Sequence, residues 1–290
     1  MDAIYVIDKP KGLTSRDVVN QMGKILGTKH LGHTGTLDPL ATGVLVIAVG
    51  RATKIIDLLT STEKEYLAEV KMGLLTDTLD ITGNVLEQVE VPSVSFMELE
   101  KTLQSFVGKY EQEVPLYSAV RVQGKRLYEY ARENQKVVLP KREVEISKIT
   151  LLNLQQDTFS FSVRVSKGTY IRSLIRDIGV KLQIPMSMQN LRRLHQGMFS
   201  IEEAIPLAQF TKQTPGYSCS EVLQRIYPRE TISQELVKKV QNGAKITLPR
   251  AERYLLLYDE QDHLLALYQK EAEHYRAFKI FYQREMEKCD

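Results

Sequence analysis

Two segments of the chain alternate between apolar and polar residues, and this alternation constrains the fold more than any other feature of the sequence. In residues 65–73 the apolar phase holds Tyr66, Ala68, Val70 and Met72, and in residues 158–166 it holds Phe159, Phe161, Val163 and Val165. Successive side chains of a β-strand point to opposite faces, so each segment predicts a strand with one buried face. The apolar run Val44–Val49 predicts a further strand that is buried throughout.

Two helices are predicted to accompany these strands. The first has Ser15 as its N-terminal cap, runs to about Leu26 and is followed by Gly27, a residue type common just after helix ends. The second follows residue 168, and its spacing places Arg172 and Arg176 as neighbours on the polar side. Its apolar stripe consists of Ile171, Leu174, Ile175, Ile178 and Leu182. The larger part of the chain is thus predicted to mix helices and strands.

The regular patterns end around residues 206–234, where three prolines interrupt them. Beyond this stretch lie four short strand-like runs: Ile246–Leu248, Tyr254–Tyr258, Leu264–Tyr268 and Phe278–Tyr282. We therefore predict two domains, residues 1–235 and residues 236–290, of which the second is small and mostly β.

Cysteine content and hydropathy indicate the cellular compartment of the protein. The two cysteines, Cys219 and Cys289, are far apart and lack the spacing of metal ligands. No apolar run approaches the roughly 20 residues of a membrane-spanning helix. We therefore expect a reduced cytoplasmic protein without a membrane span or a cysteine-based metal site.

The overall net charge of +3 hides an uneven distribution. Residues 51–100 carry a net charge of −6, whereas residues 119–142 carry +5 and residues 164–195 carry +6. Cationic segments on a nearly balanced chain indicate a localised basic surface that faces a polyanion such as nucleic acid. Charge alone is equally consistent with ordinary solvated faces.

The segment with the clearest chemical character is Gly32–Gly43, which reads Gly-His-Thr-Gly-Thr-Leu-Asp-Pro-Leu-Ala-Thr-Gly. Its glycines permit tight turns or a close approach to a ligand. Pro39 disfavours helical geometry at Asp38, and a carboxylate presented in this way can attack an electrophilic carbon or stabilise a cationic one. As a residue type, Asp38 more often serves as a turn residue that bonds its own backbone. The segment lacks the Gly-Lys-Ser/Thr ending of a Walker phosphate loop, and no His or Cys at metal-ligand spacing accompanies His33.

This segment resembles the signature of the bacterial tRNA pseudouridine-55 synthases, the TruB family of pseudouridine synthases. Further blocks match that family in order along nearly the whole chain: Asp8–Gly12, Ala52–Lys54, Lys64–Tyr66, Thr76–Asp80, Pro115–Ala119, Lys167–Arg172 and Leu191–Leu194. The resemblance implies an enzyme that converts uridine 55 in the T arm of tRNA to pseudouridine. In this reaction the base detaches at N1, rotates and rejoins through C5, so no redox change occurs and no cofactor is expected.

By the same resemblance, Asp38 is the catalytic carboxylate and Arg172 is the partner that keeps it ionised and oriented. The ribose gains oxocarbenium character as N1 departs, and a nearby carboxylate can stabilise or trap it, as in glycosidases. Attack on ribose C1′, attack on the base and deprotonation at C2′ all remain open, and we favour a sugar-centred role. Lys54 and Asp80 match further family positions, where charge partners and catalytic supports look alike in sequence.

The resemblance also assigns four supporting residues. His33 is expected to stack into the RNA and to hold the target base out of its fold. Tyr66 is expected to stack on the base and to assist loss of the C5 proton. Tyr170 is expected to line the uridine pocket, and Leu191 to pack against the base. By pattern alone, Tyr66 and Leu191 would be core residues, although a cleft over the same face is compatible with both roles.

The implied fold is α+β: a catalytic domain with a mixed, largely antiparallel central sheet, and a small, mostly β, PUA-like RNA-binding domain at the C-terminus. Residues 114–142 correspond to the family's thumb-like insertion, which closes over the T loop. Their mixture of Arg and Lys with Tyr117, Tyr128 and Tyr130 suits phosphate contacts and base stacking, although Tyr128 and Tyr130 can also pack inward. Residues 251–290 carry a net charge of −3, which fits strong phosphate binding poorly.

Two alternative functions are also consistent with parts of the sequence. A non-catalytic tRNA-folding chaperone could keep the same scaffold, but it would not need Asp38, Tyr66 and Arg172 together. A guide-RNA-dependent synthase of the same superfamily would need extra segments for its protein and RNA partners. We therefore expect a monomer that recognises tRNA directly, with no obligate protein partner.

Overall fold

The structure, a computed structural model, describes residues 2–60 and 63–281. Cys289 lies outside these ranges, as does Tyr282, with which the predicted strand run Phe278–Tyr282 ends. The strands are β1 (Ala3–Lys9), β2 (Leu31–His33), β3 (Thr42–Val49), β4 (Lys64–Met72), β5 (Leu74–Thr76), β6 (Val85–Gln88), β7 (Gly108–Glu113), β8 (Arg121–Val122), β9 (Lys125–Arg126), β10 (Lys141–Leu154), β11 (Thr158–Val165), β12 (Met186–Gln196), β13 (Phe199–Ser200), β14 (Ile205–Pro206), β15 (Arg229–Thr231), β16 (Tyr254–Tyr258), β17 (Leu264–Glu271) and β18 (His274–Ile280). The α-helices are α1 (Ser15–Leu26), α2 (Ile56–Thr60), α3 (Phe96–Gln104), α4 (Leu127–Arg132), α5 (Ile171–Leu182), α6 (Cys219–Gln224) and α7 (Gln234–Gln241). Short 3₁₀ helices span Gly50–Ile55, Ile201–Glu203 and Leu207–Gln209. Within the described ranges, no helix is both long and apolar enough to cross a membrane.

A ten-stranded mixed sheet forms the centre of the molecule, and its main path runs β14–β1–β3–β12–β4–β11–β10–β7. β2 extends the sheet beside β3, and β13 extends it beside β12. Along the main path, only β14 with β1 and β3 with β12 pair in parallel. The other neighbours are antiparallel. The expected mixed, largely antiparallel central sheet is therefore confirmed.

The two alternating segments lie side by side in this sheet as β4 and β11. Phe161 on β11 pairs with Ala68 on β4, and Val163 pairs with Tyr66. This register places the apolar phases of both strands on one face, where their side chains are buried. Residues of α1, α3 and α5 cover that face and complete the larger hydrophobic core.

The opposite face of the sheet packs against the C-terminal part of the chain. Val44 and Val46 on β3 share a second core with Leu256 and Tyr258 on β16 and with Leu267 on β17. β15 to β18 form a separate four-stranded sheet, in which β15 runs parallel to β16. α7 packs on this sheet and completes a third core. The expected small C-terminal sheet is therefore present.

The division between residues 235 and 236 remains a prediction. β15 precedes that position and already belongs to the small sheet, while α7 crosses it. Polar contacts join the small sheet to the rest of the chain; among them, Lys279 pairs with Asp57 at 2.9 Å, and Lys54 donates to the carbonyl of Ile280 at 3.0 Å. Lys54 therefore lies at the contact between the two sheets.

The start of α1 differs from the prediction that Ser15 is its cap. The hydroxyl of Thr14 accepts a hydrogen bond from the N–H of Asp17 at 3.1 Å, and the Asp17 carboxylate accepts one from the N–H of Thr14 at 2.9 Å. Thr14 is the cap because a carboxylate three residues later can reciprocate its hydrogen bond. Gly27 ends the helix in the left-handed conformation with φ 70°, as predicted.

Candidate active site

Asp38 lies in the loop between β2 and β3, and other elements hold the loop on both sides of it. The buried hydroxyl of Ser15 on α1 accepts a hydrogen bond from the N–H of Leu37 at 2.8 Å. The N–H of Gly12 donates to the carbonyl of Pro39 at 2.8 Å. The side chain of Asp38 is 34% exposed, so it is open to a ligand while its main chain is fixed.

A buried arginine supports the same loop from the sheet. Arg193 on β12 is fully buried, and its guanidinium donates to the carbonyls of Gly35 at 3.1 Å and Val44 at 2.6 Å. Gly43 lies so close to this strand that a Cβ atom would stand 2.2 Å from the carbonyl oxygen of Arg193. Together with its φ of 98°, this contact explains why the loop ends in glycine.

Asp38 and Arg172 form an ion pair, with Nε of Arg172 2.8 Å from Oδ2 of Asp38. Nη1 of Arg172 donates to the carbonyl of Thr78 at 2.9 Å, and Nη2 donates to the carbonyl of Tyr117 at 3.0 Å. Three acceptors around one planar guanidinium fix its orientation, and hence that of the carboxylate. Arg172 is nevertheless buried, because the loops that it binds cover the first turn of α5.

Tyr170 immediately precedes α5, and a buried glutamine holds its main chain. The side-chain amide of Gln112 on β7 accepts from the N–H of Tyr170 at 2.8 Å and donates to its carbonyl at 3.2 Å. The guanidinium of Arg142 lies 5.5 Å from the centroid of the Tyr170 ring. These contacts fix the start of α5, two residues before Arg172. Gln112 was not predicted, because a glutamine within a strand carries no sequence signal of its partner.

Asp80 shapes the loop that supplies one of the carbonyls bound by Arg172. Its Oδ1 accepts from the Thr78 hydroxyl and from the N–H of Thr82, both at 2.9 Å. The N–H of Ile81 donates to the carbonyl of Met188 at 3.0 Å, which ties the loop to β12. Asp80 therefore acts on Asp38 indirectly, through Thr78 and the guanidinium.

Tyr66 and Leu191 form the apolar wall of a cavity of about 540 Å³. They lie on neighbouring strands, β4 and β12, and are 6% and 7% exposed. Asp38, Tyr170 and Arg172 line the same cavity. Five of the six predicted site residues therefore surround one space, and Tyr66 is both a core residue and a cavity residue.

His33 is the predicted site residue that does not line this cavity. It is half-buried at the end of β2, on the strand that leads into the Asp38 loop. Burial lowers the pKa of His33, and the nearby cations Arg16 and Arg193 lower it further. Among the described residues, no three His, Cys, Asp or Glu side chains are grouped so that they could hold a metal ion.

The insertion covers one side of the cavity. It leaves the sheet between the edge strand β7 and its neighbour β10, and Tyr128 and Arg132 of α4 line the cavity. The guanidinium of Arg132 lies 5.3 Å from the centroid of the Tyr128 ring. The hydroxyl of Tyr130 instead donates to the carbonyl of Val122 at 3.0 Å within the insertion. Tyr128 therefore faces the cavity, whereas the hydroxyl of Tyr130 is engaged within the insertion.

Small hydroxyl residues without a predicted role also line the cavity: Thr36, Thr78, Thr82, Ser118 and Thr169. Within the described part of the chain, the buried hydroxyl of Ser118 has no hydrogen-bond partner. Most of these residues lie in segments that match the family, but serine and threonine are common in loops, so their residue types alone predicted no role.

Two buried lysines lie behind the Asp38 loop. Burial lowers the pKa of Lys9 to about 8, although the nearby Asp38 carboxylate raises it in part. Burial, and then the cations Arg193 and Lys167, lower the pKa of Lys64 to about 8. Both lysines therefore link the stability of this region to pH in the alkaline range.

The chain is similar to members of one protein family over almost its whole length. Residues 23–171 match the model of the TruB family pseudouridylate synthase, N-terminal domain. The tRNA pseudouridine synthase B of Shouchella clausii is 43% identical over 283 residues, which cover 92% of each chain. The protein of the same name from Lactobacillus acidophilus is 41% identical over 300 residues, which cover 98% of this chain and 100% of the relative.

The fold is also similar to that of a solved structure. An H/ACA ribonucleoprotein bound to a substrate RNA containing 2′-deoxyuridine includes a chain that superposes with a TM-score of 0.73 at 23% identity. The match covers 98% of this chain and 86% of that chain. At this identity the similarity concerns the fold, which both chains share over nearly their full lengths.

Proposed function

The chain belongs to the TruB family of pseudouridylate synthases and is a pseudouridine synthase that acts on tRNA, and we propose that its target is uridine 55 in the T arm, with Asp38 as the catalytic carboxylate. One observation carries this proposal: the ion pair of Asp38 with Arg172, at 2.8 Å, within a cavity walled by Tyr66 and Leu191. A charged carboxylate beside an apolar wall suits a nucleoside, which has a flat base and a polar sugar.

The cavity suits a single everted nucleoside. Its volume of about 540 Å³ lies in the usual range of small-molecule sites. The base of the uridine would lie against Tyr66 and Leu191, and its ribose would lie beside Asp38. Contacts with these side chains would offset part of the stacking energy that the base loses when it leaves the RNA fold.

The proposed reaction is centred on the sugar. The bond between N1 and C1′ breaks, its electron pair stays with the uracil, and positive charge develops on the ribose. The Asp38 carboxylate stabilises this charge or traps C1′ covalently. After the base has turned, C5 bonds to C1′, the C5 proton is lost with the proposed assistance of Tyr66, and N1 gains a proton, so that one proton leaves C5 and one is added at N1. Atoms and charge balance without a co-substrate.

The surrounding contacts support this role by fixing the carboxylate before the substrate binds. Arg172 orients Asp38, while Gln112 holds the start of α5 and Asp80 holds the Thr78 carbonyl. Such preorganisation matters because a reacting group displaced by about 1 Å can lose on the order of 10² in rate.

Release of tritium from a tRNA transcript labelled with [5-³H]uridine tests the activity and its position, because the C5 hydrogen is lost when the new bond forms. The wild-type protein should release about one equivalent per tRNA, and a transcript with cytidine at position 55 should release none. Release from the cytidine-55 transcript would contradict the proposed position. Absence of release from both transcripts would favour a tRNA-folding chaperone.

The proposed setting is the cytoplasm, where the protein would act on tRNA as a monomer and without an obligate protein partner. The absence of a required partner is supported by the cavity, since one chain supplies Asp38, Arg172, Tyr66 and Leu191. Full tritium release by the purified chain alone is the expected result, and dependence on an added protein would contradict it.

A further inference from the structure

A groove of about 670 Å³ runs beside α1, and its lining is basic. Arg16, Asn20 and Lys24 recur at every fourth residue of α1, so they form a line along one exposed face of the helix. Lys29 lies in the segment that leads from α1 to β2 and extends this line. The lining residues include these three cations and no carboxylate. We call Arg16, Asn20, Lys24 and Lys29 the α1 stripe.

The shape of the groove is set by main-chain contacts. Gly27 adopts φ 70° and turns the chain, and the N–H of Thr28 donates to the carbonyl of Gly23 at 3.0 Å. A Cβ atom on Gly23 would stand 2.9 Å from the Thr28 carbonyl oxygen, so the helix and the returning segment are in close contact. The apolar side chains of Val19 and Leu31 complete the lining. The cations are therefore presented by a fixed scaffold.

The cations of the α1 stripe are not paired with a carboxylate of the described residues, since the carboxylate of Asp17, next to Arg16 in the chain, instead accepts hydrogen bonds from Thr14. Among the described residues, Arg16, Lys24 and Lys29 are exposed and take part in no salt bridge. Other exposed cations do have such partners: Lys109 lies 3.0 Å from a carboxylate oxygen and Arg250 lies 2.5 Å from one. Three neighbouring cations without counter-charges repel one another, and they gain most from an external polyanion.

The groove adjoins the loop that carries Asp38. Leu31 lines the groove and begins β2, which leads through His33 into that loop. The charge of Arg16 contributes to the lowered pKa of His33, so these two side chains are within electrostatic range. One end of the α1 stripe is therefore near the catalytic loop, and the other end lies away from it.

We propose that the α1 stripe binds the phosphates of the RNA strand that leads away from the everted uridine, an inference that rests on the proposed function for the position of the target. Phosphates repeat along an RNA strand as the cations repeat along the helix. Arg16 and Lys24 are eight residues apart, which corresponds to about 12 Å along the axis. Arginine and lysine side chains suit contacts of this kind, which position the RNA without reading its sequence.

A variant that removes the three charges tests this surface. Arg16→Gln, Lys24→Gln and Lys29→Gln together keep long polar side chains in place. Binding to an isolated T-arm hairpin is measured over a series of KCl concentrations. The salt dependence, as log K against log [KCl], should lose about two units of slope, because each phosphate contact to a single strand contributes about 0.7.

Two further variants control the result. Lys101→Gln, Lys148→Gln and Lys181→Gln together remove the same charge from exposed positions on α3, on β10 and near the C-terminal end of α5, and this variant should keep the wild-type slope. Arg16→Lys with Lys24→Arg and Lys29→Arg retains all three charges, so it should also keep that slope. The second variant separates loss of charge from damage to α1.

Three outcomes would overturn the inference: an unchanged slope in the glutamine variant of the α1 stripe, an equal loss in the Lys101, Lys148 and Lys181 variant, or a loss with full-length tRNA but not with the hairpin. Failure of the proposed function would be seen separately, as absence of tritium release by the wild-type protein. The two failures are distinct because the binding measurement does not depend on turnover.

Discussion

At the scale of single residues, Arg172 joins three distant segments into one site. Its guanidinium contacts Asp38 in the β2–β3 loop, Thr78 in the β5–β6 connection and Tyr117 in the insertion. Because the donors of a guanidinium point in fixed directions, each acceptor restricts the positions of the other two. The orientation of the carboxylate therefore depends on all three segments.

Replacement of Arg172 by Lys should lower the rate of the chemical step about 100-fold. Lysine keeps the positive charge but cannot hold the carboxylate and two carbonyls in one plane, and a displacement of about 1 Å carries a cost of this order. Single-turnover tritium release at saturating enzyme measures the effect. Arg176→Lys is the matched control, since Arg176 is on the same helix and pairs with Glu113 and Asp177. A wild-type rate for Arg172→Lys would show that charge alone is sufficient.

Lys64 provides a pH test of the buried charges behind the loop. Its pKa in the folded protein, about 8, is below the ordinary value of 10.5, so the unfolded chain binds more protons between these pH values. The contribution of Lys64 to the free energy of unfolding should therefore rise as the pH increases from 8 towards 10.5. The gain should reach about 2 to 3 kcal/mol at the upper end. Lys64→Met should lack this gain.

Urea denaturation of the wild type and of Lys64→Met at pH 7 and pH 10 measures this difference. The wild type should gain stability relative to the variant at the higher pH. Lys71→Met is the control on the same strand, because the side chain of Lys71 is one-third exposed. A difference between wild type and Lys64→Met that does not change with pH would refute the assignment of a buried, titrating lysine.

At the scale of elements, strands were predicted correctly where the sequence alternates between apolar and polar residues. β4 and β11 follow from alternation alone, because a strand with one buried face has a period of two. The cap of α1 was missed by one residue, since Thr14 and Ser15 are both suitable caps and only Asp17 decides between them. Helical spacing also placed Arg172 on a polar face, but it could not show that loops bury that face at the first turn.

The site was predicted through family resemblance rather than through pattern. Asp38, as a residue type, more often belongs to a turn, and only the resemblance identified it as catalytic. Gln112 was not predicted, because its importance arises from contacts with a residue far away in sequence. Gln112 bonds Tyr170, which is 58 positions later, and no local pattern records such a pair.

The insertion supplies the prediction at this scale. Lys125→Ala with Arg126→Ala should weaken tRNA binding and lower its salt slope by about one to two units. A loss of about one unit of slope is favoured, because Lys125 already pairs with Glu133. Filter binding over a KCl series measures the slope, with Lys101→Ala and Lys148→Ala as the control. An unchanged slope would remove Lys125 and Arg126 from the surface that contacts phosphate.

At the scale of the whole molecule, the two sheets are joined by a common core. Leu267 on β17 is fully buried in the cluster that includes Val44 and Val46 of β3. Leu267→Ala should lower the free energy of unfolding by about 2 to 5 kcal/mol, and thermal unfolding should remain a single transition. Leu152→Ala, at a position that is 51% exposed, is the control. Two separate transitions, with activity lost in only one of them, would contradict a shared core.

The small sheet remains an expected accessory RNA-binding unit. Its Lys279 is engaged with Asp57 in the contact between the sheets, and residues 251–290 carry a net charge of −3. Strong phosphate binding is therefore expected from the insertion and from the α1 stripe rather than from this sheet.

The central claim is that the carboxylate of Asp38 acts on the ribose of an everted uridine, and Asp38→Asn tests it most directly. Asparagine preserves the size of the side chain but removes the charge. The variant should fold and bind tRNA, while single-turnover formation of pseudouridine should fall by a factor on the order of 10⁴ or more. Asp157→Asn, at an exposed carboxylate, should behave as wild type. Formation of pseudouridine at the normal rate by a folded, tRNA-binding Asp38→Asn protein would contradict the claim.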